Sequence, residues 1–312
     1  MNEFKNILVA TDTRLEQHPI VDEAAEIALR CDAKLKIIDV APDFSWTVRM
    51  TMSDHDHVME LLCEEKAAAL EGLAEQIRAR GIEVETKVLR GKTSVEIIRE
   101  VLRAEHDLVL RVAKGKDSRS QSFFGNSGAR LLRQCPCAVW LVSSAAAPKF
   151  NHVLACIDTS SGDEQDRKLN ERVYNLGLAI SKYHGGHFSV VHAWSIWNEQ
   201  MIKGRMGAEM FQEIEDNNEA QVVRMMNDFL KQYDSDTNAE NVKCVKGEAA
   251  DVIADMTWND GVDLVVMGTV ARSGITGMVT GNSAEQILNR IQCSVLALKP
   301  ADFVSPVRLK SE

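Results

Sequence analysis

The sequence has no excess of positive charge and no apolar run long enough to cross a membrane. Its 36 lysines and arginines are outnumbered by 46 aspartates and glutamates, which gives a net charge of −10. Because affinity for nucleic-acid phosphates needs clustered cations, this balance argues against direct nucleic-acid binding. The absence of a run of about 20 apolar residues argues against membrane insertion.

The sequence also lacks the paired cysteines of a disulfide framework. Its seven cysteines are an odd number, and several have apolar neighbours, as Cys63 and Cys156 do. This usage suits a reducing compartment, and the N-terminus does not resemble a signal peptide, so a cytoplasmic location is expected. Cys135-Pro-Cys137 could be redox-active or metal-binding. The repeat described below has only Cys293 there, which favours a buried apolar role.

Complete metal and P-loop signatures are missing as well. Asp54-His-Asp-His57 has no second ligand pair nearby, and His184-Gly-Gly-His187 is typical of a helix end followed by a strand. We therefore expect no metal site. Arg90-Gly-Lys-Thr-Ser94 ends like a P-loop, but Thr86 stands where that motif needs glycine. No Ser-His-Asp or Cys-His triad can be placed, so nucleophilic catalysis by such a triad is not expected.

The sequence does contain an internal repeat. Three segments of the first half recur at a constant offset of 156 residues, and their pairs begin at 107 and 263, 125 and 281, and 137 and 293. The openings, 6–12 and 152–158, also resemble each other. Features present in both halves are therefore expected to concern the fold, and features of one half its local chemistry.

Each half alternates short apolar runs with longer amphipathic ones, which predicts a doubly wound α/β domain. The runs are apolar throughout, as in a parallel sheet covered by helices on both faces. Ser143–Lys149 is rich in small residues and contains a proline, so it is interpreted as a linker between domains at 1–144 and 150–302. The predicted strands are 5–11, 34–40, 82–88, 107–112, 137–142, 152–157, 187–193, 241–245, 262–267 and 293–298.

Ligands of open parallel sheets bind at the carboxyl ends of the strands. In the second half, Asp158 follows the first strand, and the fourth strand ends at Met267-Gly268 before a glycine-rich loop. A helix that starts at Asn282 would offer free N–H groups and partial positive charge to an anion. Asn282 and Ser283 could cap that helix or donate to phosphate oxygens. A facing carboxylate could bind ribose hydroxyls or help to hold Mg²⁺.

This loop carries a resemblance to a known family. Gly268-Thr-Val-Ala271, nine residues and then Gly281-Asn282 are similar to the G-x-x-G, nine residues, G-[ST] motif of ATP-binding universal stress proteins. Ala271 replaces the second glycine and disfavours positive φ, and Asn282 replaces serine or threonine. The similarity covers residues 4–300 and is to the tandem, E-type members. It implies an ATP site, with Mg²⁺ as a companion, formed by Asp158, Met267, Gly268, Ala271, Arg272, Gly281, Asn282 and Ser283.

The first half departs further from that motif, because Val112 stands where its first glycine belongs. The loop before Gly125 is basic and polar. Its Lys114, Lys116 and Arg119 could supply charged donors to an anion, although a solvated surface loop explains them equally well. We expect this half to be mainly structural. The resemblance leaves it a degenerate site formed by Asp12, Val40, Gly125, Asn126 and Ser127.

The resemblance implies two tandem flavodoxin-like domains of the adenine nucleotide alpha hydrolase-like type. Each would have a five-stranded parallel sheet of order 3-2-1-4-5, and the fifth strands would pair as an internal pseudo-dimer, with further homodimerisation open. The leading hypothesis is a cytoplasmic stress-response protein that binds an adenine nucleotide and acts as a sensor or regulator. It would not be an enzyme, or would hydrolyse ATP slowly at most. The alternatives are a nucleotide-independent scaffold for protein partners, and a carrier of a nucleotide-sugar or of a lipid-like ligand beside the methionine-rich stretch 201–226.

Overall fold

Ten strands alternate with helices along the part of the chain that the computed structural model describes, residues 3–52, 54–113, 123–143, 149–269 and 282–309. Both ends of every strand lie within two residues of the predicted ends. The apolar runs were therefore sufficient to locate the strands. The strands are β1 (Asn6–Ala10), β2 (Lys34–Ala41), β3 (Val84–Arg90), β4 (Leu108–Val112), β5 (Ala138–Val142), β6 (His152–Cys156), β7 (His187–Trp194), β8 (Val242–Lys246), β9 (Leu264–Gly268) and β10 (Ser294–Leu298).

The helices include two short ones that the sequence patterns did not predict. Each follows the second strand of its half and is too short to show a clear helical period. None of the described helices combines the length and apolar character that a bilayer span requires. The helices are α1 (Pro19–Cys31), α2 (Trp46–Thr51), α3 (His55–Arg78), α4 (Thr93–Ala104), α5 (Gly125–Gln134), α6 (Glu164–His184), α7 (Glu199–Arg205), α8 (Ala208–Leu230), α9 (Ala249–Asn259) and α10 (Asn282–Arg290).

The first of two compact units contains β1 to β5 and, from the far end of the chain, β10. Its strand order is β3-β2-β1-β4-β5-β10, and β1 to β5 are parallel. β10 runs antiparallel to β5, with Leu296 opposite the buried Trp140. The fifth strands of the two halves therefore pair, as predicted, and this edge of β5 satisfies its backbone groups within the chain.

The second unit contains β6 to β9 in the order β9-β6-β7-β8, and all of these strands are parallel. This order repeats β4-β1-β2-β3 of the first unit. The strand interiors are fully buried, as Val153, Val190 and Val265 show. The chain thus has the predicted tandem flavodoxin-like α/β fold, and the carboxyl ends of its central strands form one edge in each unit.

Local sequence signals fix the ends of α6, which lies between β6 and β7. Asp163 caps the helix, because its side chain accepts a hydrogen bond from the backbone N–H of Gln165 at 2.7 Å. Gly185 ends it in the left-handed conformation, with φ of 64°. At Gly186 a Cβ would lie only 2.3 Å from the carbonyl oxygen of Phe150. The two glycines therefore allow a tight return of the chain into β7.

Candidate functional site

A cavity of about 500 Å³ opens at the carboxyl ends of β1, β2 and β4 in the first unit. All five residues of the predicted first-half site line it, namely Asp12, Val40, Gly125, Asn126 and Ser127. Asp12 follows β1, Val40 is the penultimate residue of β2, and the other three form the start of α5. The doubly wound topology therefore brings together groups that are more than 100 residues apart in the sequence.

A buried ion pair that the sequence analysis missed lies beside this cavity. Lys66 of α3 donates from Nζ to Oδ2 of Asp39 on β2 at 2.5 Å, and only 6% and 7% of the two side chains are exposed. Thr13 donates to the same oxygen from its backbone N–H at 2.9 Å and from Oγ1 at 2.7 Å. The backbone N–H of Val40 donates to Asp39 Oδ1 at 2.6 Å. These bonds satisfy a carboxylate that would otherwise be costly to bury.

Asp12 is paired as well, and its partner is Arg14. The guanidinium donates from Nε to Oδ1 at 2.8 Å and from Nη2 to Oδ2 at 2.7 Å, which is a bidentate arrangement. Burial raises the pKa of Asp12, but the hydrogen bonds and charge of Arg14 outweigh burial and hold that pKa below its ordinary value. The carboxylate is therefore ionised at neutral pH, and Arg14 already occupies both of its oxygens.

Arg111 on β4 is the third cation of the cavity. It lies opposite Ala10 of β1 and Leu141 of β5, and its side chain is partly buried. Burial lowers the pKa of this guanidinium, while the charges of Asp12 and Asp39 raise it. Because the ordinary pKa of arginine is above 12, the group stays protonated. Among the described residues, Arg111 has no hydrogen-bond or ion-pair partner.

In the second half, the described site residues also meet at a carboxyl edge. Cys156 of β6 is the register partner of Met267 on β9, so Asp158, which follows β6, and Gly268, which ends β9, belong to neighbouring strand ends. The Asp158 carboxylate is 55% exposed and accepts hydrogen bonds from the N–H and Oγ of Ser160 at 3.1 and 2.7 Å. It can therefore accept further donors from solvent or from a ligand.

The structure describes three of the remaining residues that were predicted for this site, namely Met267, Gly268 and Ser283. Met267 is buried, and Ser283 lies exposed in the first turn of α10, which begins at Asn282. A Cβ at Gly268 would lie 2.7 Å from Cδ2 of Leu169 on α6, so that glycine has a packing role in addition to its predicted one. The other predicted positions, Ala271, Arg272 and Gly281, and the side chain of Asn282 lie outside the described residues.

His192 on β7 is a neighbour of Asp158 that the sequence analysis did not identify. Its buried ring places Nδ1 at 3.2 Å from the carbonyl oxygen of Ile157 and at 3.3 Å from the backbone N–H of Thr159. Burial lowers the pKa of His192, so the imidazole is neutral at pH 7. By strand register His192 is the counterpart of Asp39, so the two halves use different chemistry at equivalent positions.

The structure also describes the other candidate sites of the sequence, namely the possible metal ligands, the two neighbouring cysteines and the methionine-rich stretch. Within the described ranges, no three histidine, cysteine, aspartate or glutamate side chains are grouped closely enough to hold a metal ion. The Sγ atoms of Cys135 and Cys137 lie 3.5 Å apart, and burial raises the pKa of the Cys137 thiol. In the methionine-rich stretch, Met226 is fully buried. Trp194, Ile196 and Phe211 pack together as a core cluster, whereas Trp197 is exposed.

Comparison with known proteins agrees with the repeat and the fold. The model of the universal stress protein family matches residues 3–143 and again residues 149–299. Universal stress protein E of Salmonella typhi and of Escherichia coli K12 are each 26% identical over 317 residues, which cover 100% of this chain and 99% of each relative. The homologue from Haemophilus influenzae is 21% identical and covers 96% of this chain and 98% of its own length.

Solved structures show the same fold over nearly the whole chain. A functionally unknown protein from Pseudomonas aeruginosa PAO1 aligns with a TM-score of 0.75 at 22% identity, covering 96% of this chain and 94% of that one. A universal stress protein from Archaeoglobus fulgidus aligns with a TM-score of 0.59 at 16% identity, covering 95% and 99%. The chain therefore belongs to the universal stress protein family, as a tandem protein of the universal stress protein E type.

Proposed function

We propose that this stress-related protein binds an adenine nucleotide, in particular ATP, at the carboxyl edge of its second half and acts as a cytoplasmic sensor or regulator. The observation that carries this proposal is the juxtaposition of Asp158 and Gly268. Asp158 follows β6, Gly268 is the last residue of the neighbouring strand β9, and α10 is the next described helix after β9. A carboxylate, a glycine strand end and a helix N-terminus are the groups that ribose and phosphate oxygens need.

The exposure of Asp158 supports this assignment. Its carboxylate has hydrogen bonds from Ser160 but is more than half exposed, so oxygen lone pairs remain accessible. The backbone at Asp158 is held on both sides by Asn170, which accepts from the Asp158 N–H at 3.1 Å and donates to the Asp158 carbonyl at 2.7 Å. A ligand group would therefore meet a carboxylate whose main chain is already fixed, which lowers the entropic cost of binding.

Mg²⁺ fits the same site as a companion of the phosphates. This ion is usually held by one or two carboxylates together with phosphate oxygens and water. Asp158 would provide the carboxylate, because its side chain is 55% exposed. When it is bound with ATP, Mg²⁺ supplies neutralisation of phosphate charge, which an acidic chain of net charge −10 would otherwise repel.

Calorimetric titration with Mg-ATP tests the proposal. The variant is Asp158→Asn, and Asp163→Asn is the matched control, because Asp163 lies five residues further on and asparagine caps a helix as well as aspartate. We expect Asp158→Asn to bind about tenfold more weakly, since a charge-assisted hydrogen bond contributes about 1.5 kcal/mol. The control should bind like the wild type. Equal binding by the two variants would remove Asp158 from the site.

A nucleotide-independent interaction scaffold is the second candidate. The close approach of Leu169 to Gly268 favours it, because packing alone then accounts for that glycine. Trp197 is 79% exposed and would be available to a protein partner. The same titration separates the candidates. A wild type that gives no heat with Mg-ATP supports the scaffold and excludes the nucleotide site.

A further inference from the structure

The cavity of the first half contains a charge for which neither the fold nor the family resemblance gives a reason. Arg111 is the register partner of Ala10, as Met267 is the register partner of Cys156 in the second half. The two positions are therefore equivalent, and the fold accepts an uncharged side chain there. A guanidinium at a partly buried strand position is costly unless it is paired. Its presence indicates a function within this half.

The other charged groups of the cavity already have partners. Lys66 is bonded to Asp39 and Arg14 to Asp12, so these four charges cancel in pairs. Arg111 is the cavity cation that has no partner among the described residues, and it leaves the described lining with one excess positive charge. The excess is on a side chain with five N–H donors in a planar fork, which matches the oxygens of a phosphate or carboxylate.

A second donor group lies along the same cavity. Gly125, Asn126 and Ser127 form the first turn of α5 and line the cavity with Arg111. The first N–H groups of a helix have no partner within the helix and carry partial positive charge, which favours phosphate. No described side chain caps this helix, because the residue before it is Phe124. Arginine and a free helix start together favour a phosphate group over other anions.

We propose that the first-half cavity binds a small organic phosphate monoester, with the guanidinium of Arg111 as the anchor of its phosphate. The volume of about 500 Å³ exceeds what an inorganic ion needs and is in the range of small-molecule sites. A single excess positive charge suits a monoester better than a triphosphate. The backbone N–H of Val40 donates to Asp39, so it is not among the donors offered to the ligand.

The test uses thermal unfolding of the full chain at constant ionic strength, with inorganic phosphate, phenyl phosphate and benzoate as probes. Arg111→Met introduces the side chain that the second half has at the equivalent position, Met267. Arg111→Lys retains the positive charge but lacks the planar guanidinium donors. Arg30→Met is the control, because Arg30 is exposed in the last turn of α1, at the opposite edge of the sheet. The wild type and the control should gain stability with increasing phosphate concentration, as linkage requires.

Arg111→Met should abolish this gain, and Arg111→Lys should weaken phosphate binding about tenfold. Phenyl phosphate should bind about tenfold more tightly than inorganic phosphate, because its ring occupies the apolar part of the cavity. Benzoate binding more tightly than phenyl phosphate would overturn the assignment to phosphate. An equal gain in stability with phosphate in the wild type and in Arg111→Met would show that Arg111 does not anchor the phosphate.

Two further results separate this proposal from the others. Without probe, Arg111→Met should be as stable as the wild type or more so, because an unpaired charge is removed from a partly buried position. A large loss of stability would instead show that Arg111 has a structural partner, and the proposal would fail. Mg-ATP titration of Arg111→Met should match the wild type, since the proposed nucleotide site is in the other half. The two sites can therefore fail independently.

Discussion

The buried pair of Lys66 and Asp39 gives the sharpest prediction about stability. Replacing Lys66 by methionine removes the positive charge and leaves the Asp39 carboxyl group without its ion-pair partner, at a position where only 7% of its side chain is exposed. Breaking a buried ion pair by removing one partner costs about 3–5 kcal/mol. Asp39 would keep the hydrogen bonds from Thr13 and Val40, so we expect the loss to lie at the lower end, about 3 kcal/mol.

Hydrogen exchange followed by mass spectrometry localises this loss. Peptides from β2 and α3 should exchange faster in Lys66→Met, whereas peptides from β6 to β9 in the second unit should be unchanged. Lys168→Met is the control, because Lys168 forms an exposed pair with Glu164 and such pairs contribute little. The double variant Asp39→Asn/Lys66→Met should recover most of the loss, since no charge is then buried alone.

Two outcomes would show that the Lys66–Asp39 pair does not stabilise the protein in this way. If Lys66→Met exchanges no faster than Lys168→Met, the pair contributes no more than a surface contact. If the double variant is less stable than Lys66→Met alone, the cost arises from lost packing of the lysine stem and not from the unpaired charge.

Two other predictions concern backbone packing and pH. In Gly186→Ala the added Cβ would lie 2.3 Å from the Phe150 carbonyl oxygen. This clash should destabilise the second unit by more than about 2 kcal/mol, as a severe core substitution does, or shift the start of β7. Gly72→Ala, whose Cβ meets nothing within 4 Å in the middle of α3, should instead stabilise by about 1 kcal/mol, and chemical denaturation compares the two. Burial lowers the pKa of Lys299 to about 8. Between pH 8 and about 10.4 the unfolded state then binds more protons than the folded state, so the free energy of unfolding of the wild type should rise with pH over that interval. Denaturation curves at several pH values should show a smaller rise for Lys299→Met. An equal pH dependence in the two proteins would contradict the prediction.

The sequence predicted the fold well because its signals are local and repeated. Strands such as β1 and β9 are continuous apolar runs, and the constant offset between the halves showed which runs are equivalent. Short helices gave no such signal. α2 and α7 contain only 6 and 7 residues, and their apolar residues do not make a complete stripe.

The candidate sites were predictable only in part. Asp12 and Gly125 to Ser127 were found because the repeat places counterparts at Asp158 and after Gly281. Asp39 and Lys66 were missed because one lies in an apolar strand and the other on a long amphipathic helix, and only the β2–α3 crossover brings them together. Arg111 could have been found by alignment with Met267, since a charge within an apolar run is a departure that the repeat exposes.

The proposed phosphate site would give the first half a role beyond the structural one predicted for it. It was expected to be mainly structural, because Val112 replaces the first glycine of the family motif. The cavity between Asp12 and Gly125 instead combines two neutralised ion pairs with one cation. Loss of a glycine motif removes backbone donors, and charged side chains can replace them as anion ligands. The proposed division gives the two halves different ligands on one fold.

Native mass spectrometry of the full chain with Mg-ATP shows whether the second half binds a nucleotide. The wild type should show one added ATP mass, and protein analysed as purified should release the same nucleotide if it is retained on isolation. Gly281→Val should show no added mass, because a branched side chain at the predicted phosphate loop would block close approach. A wild type without bound ATP would exclude the nucleotide site, and equal occupancy in both proteins would exclude Gly281 from it.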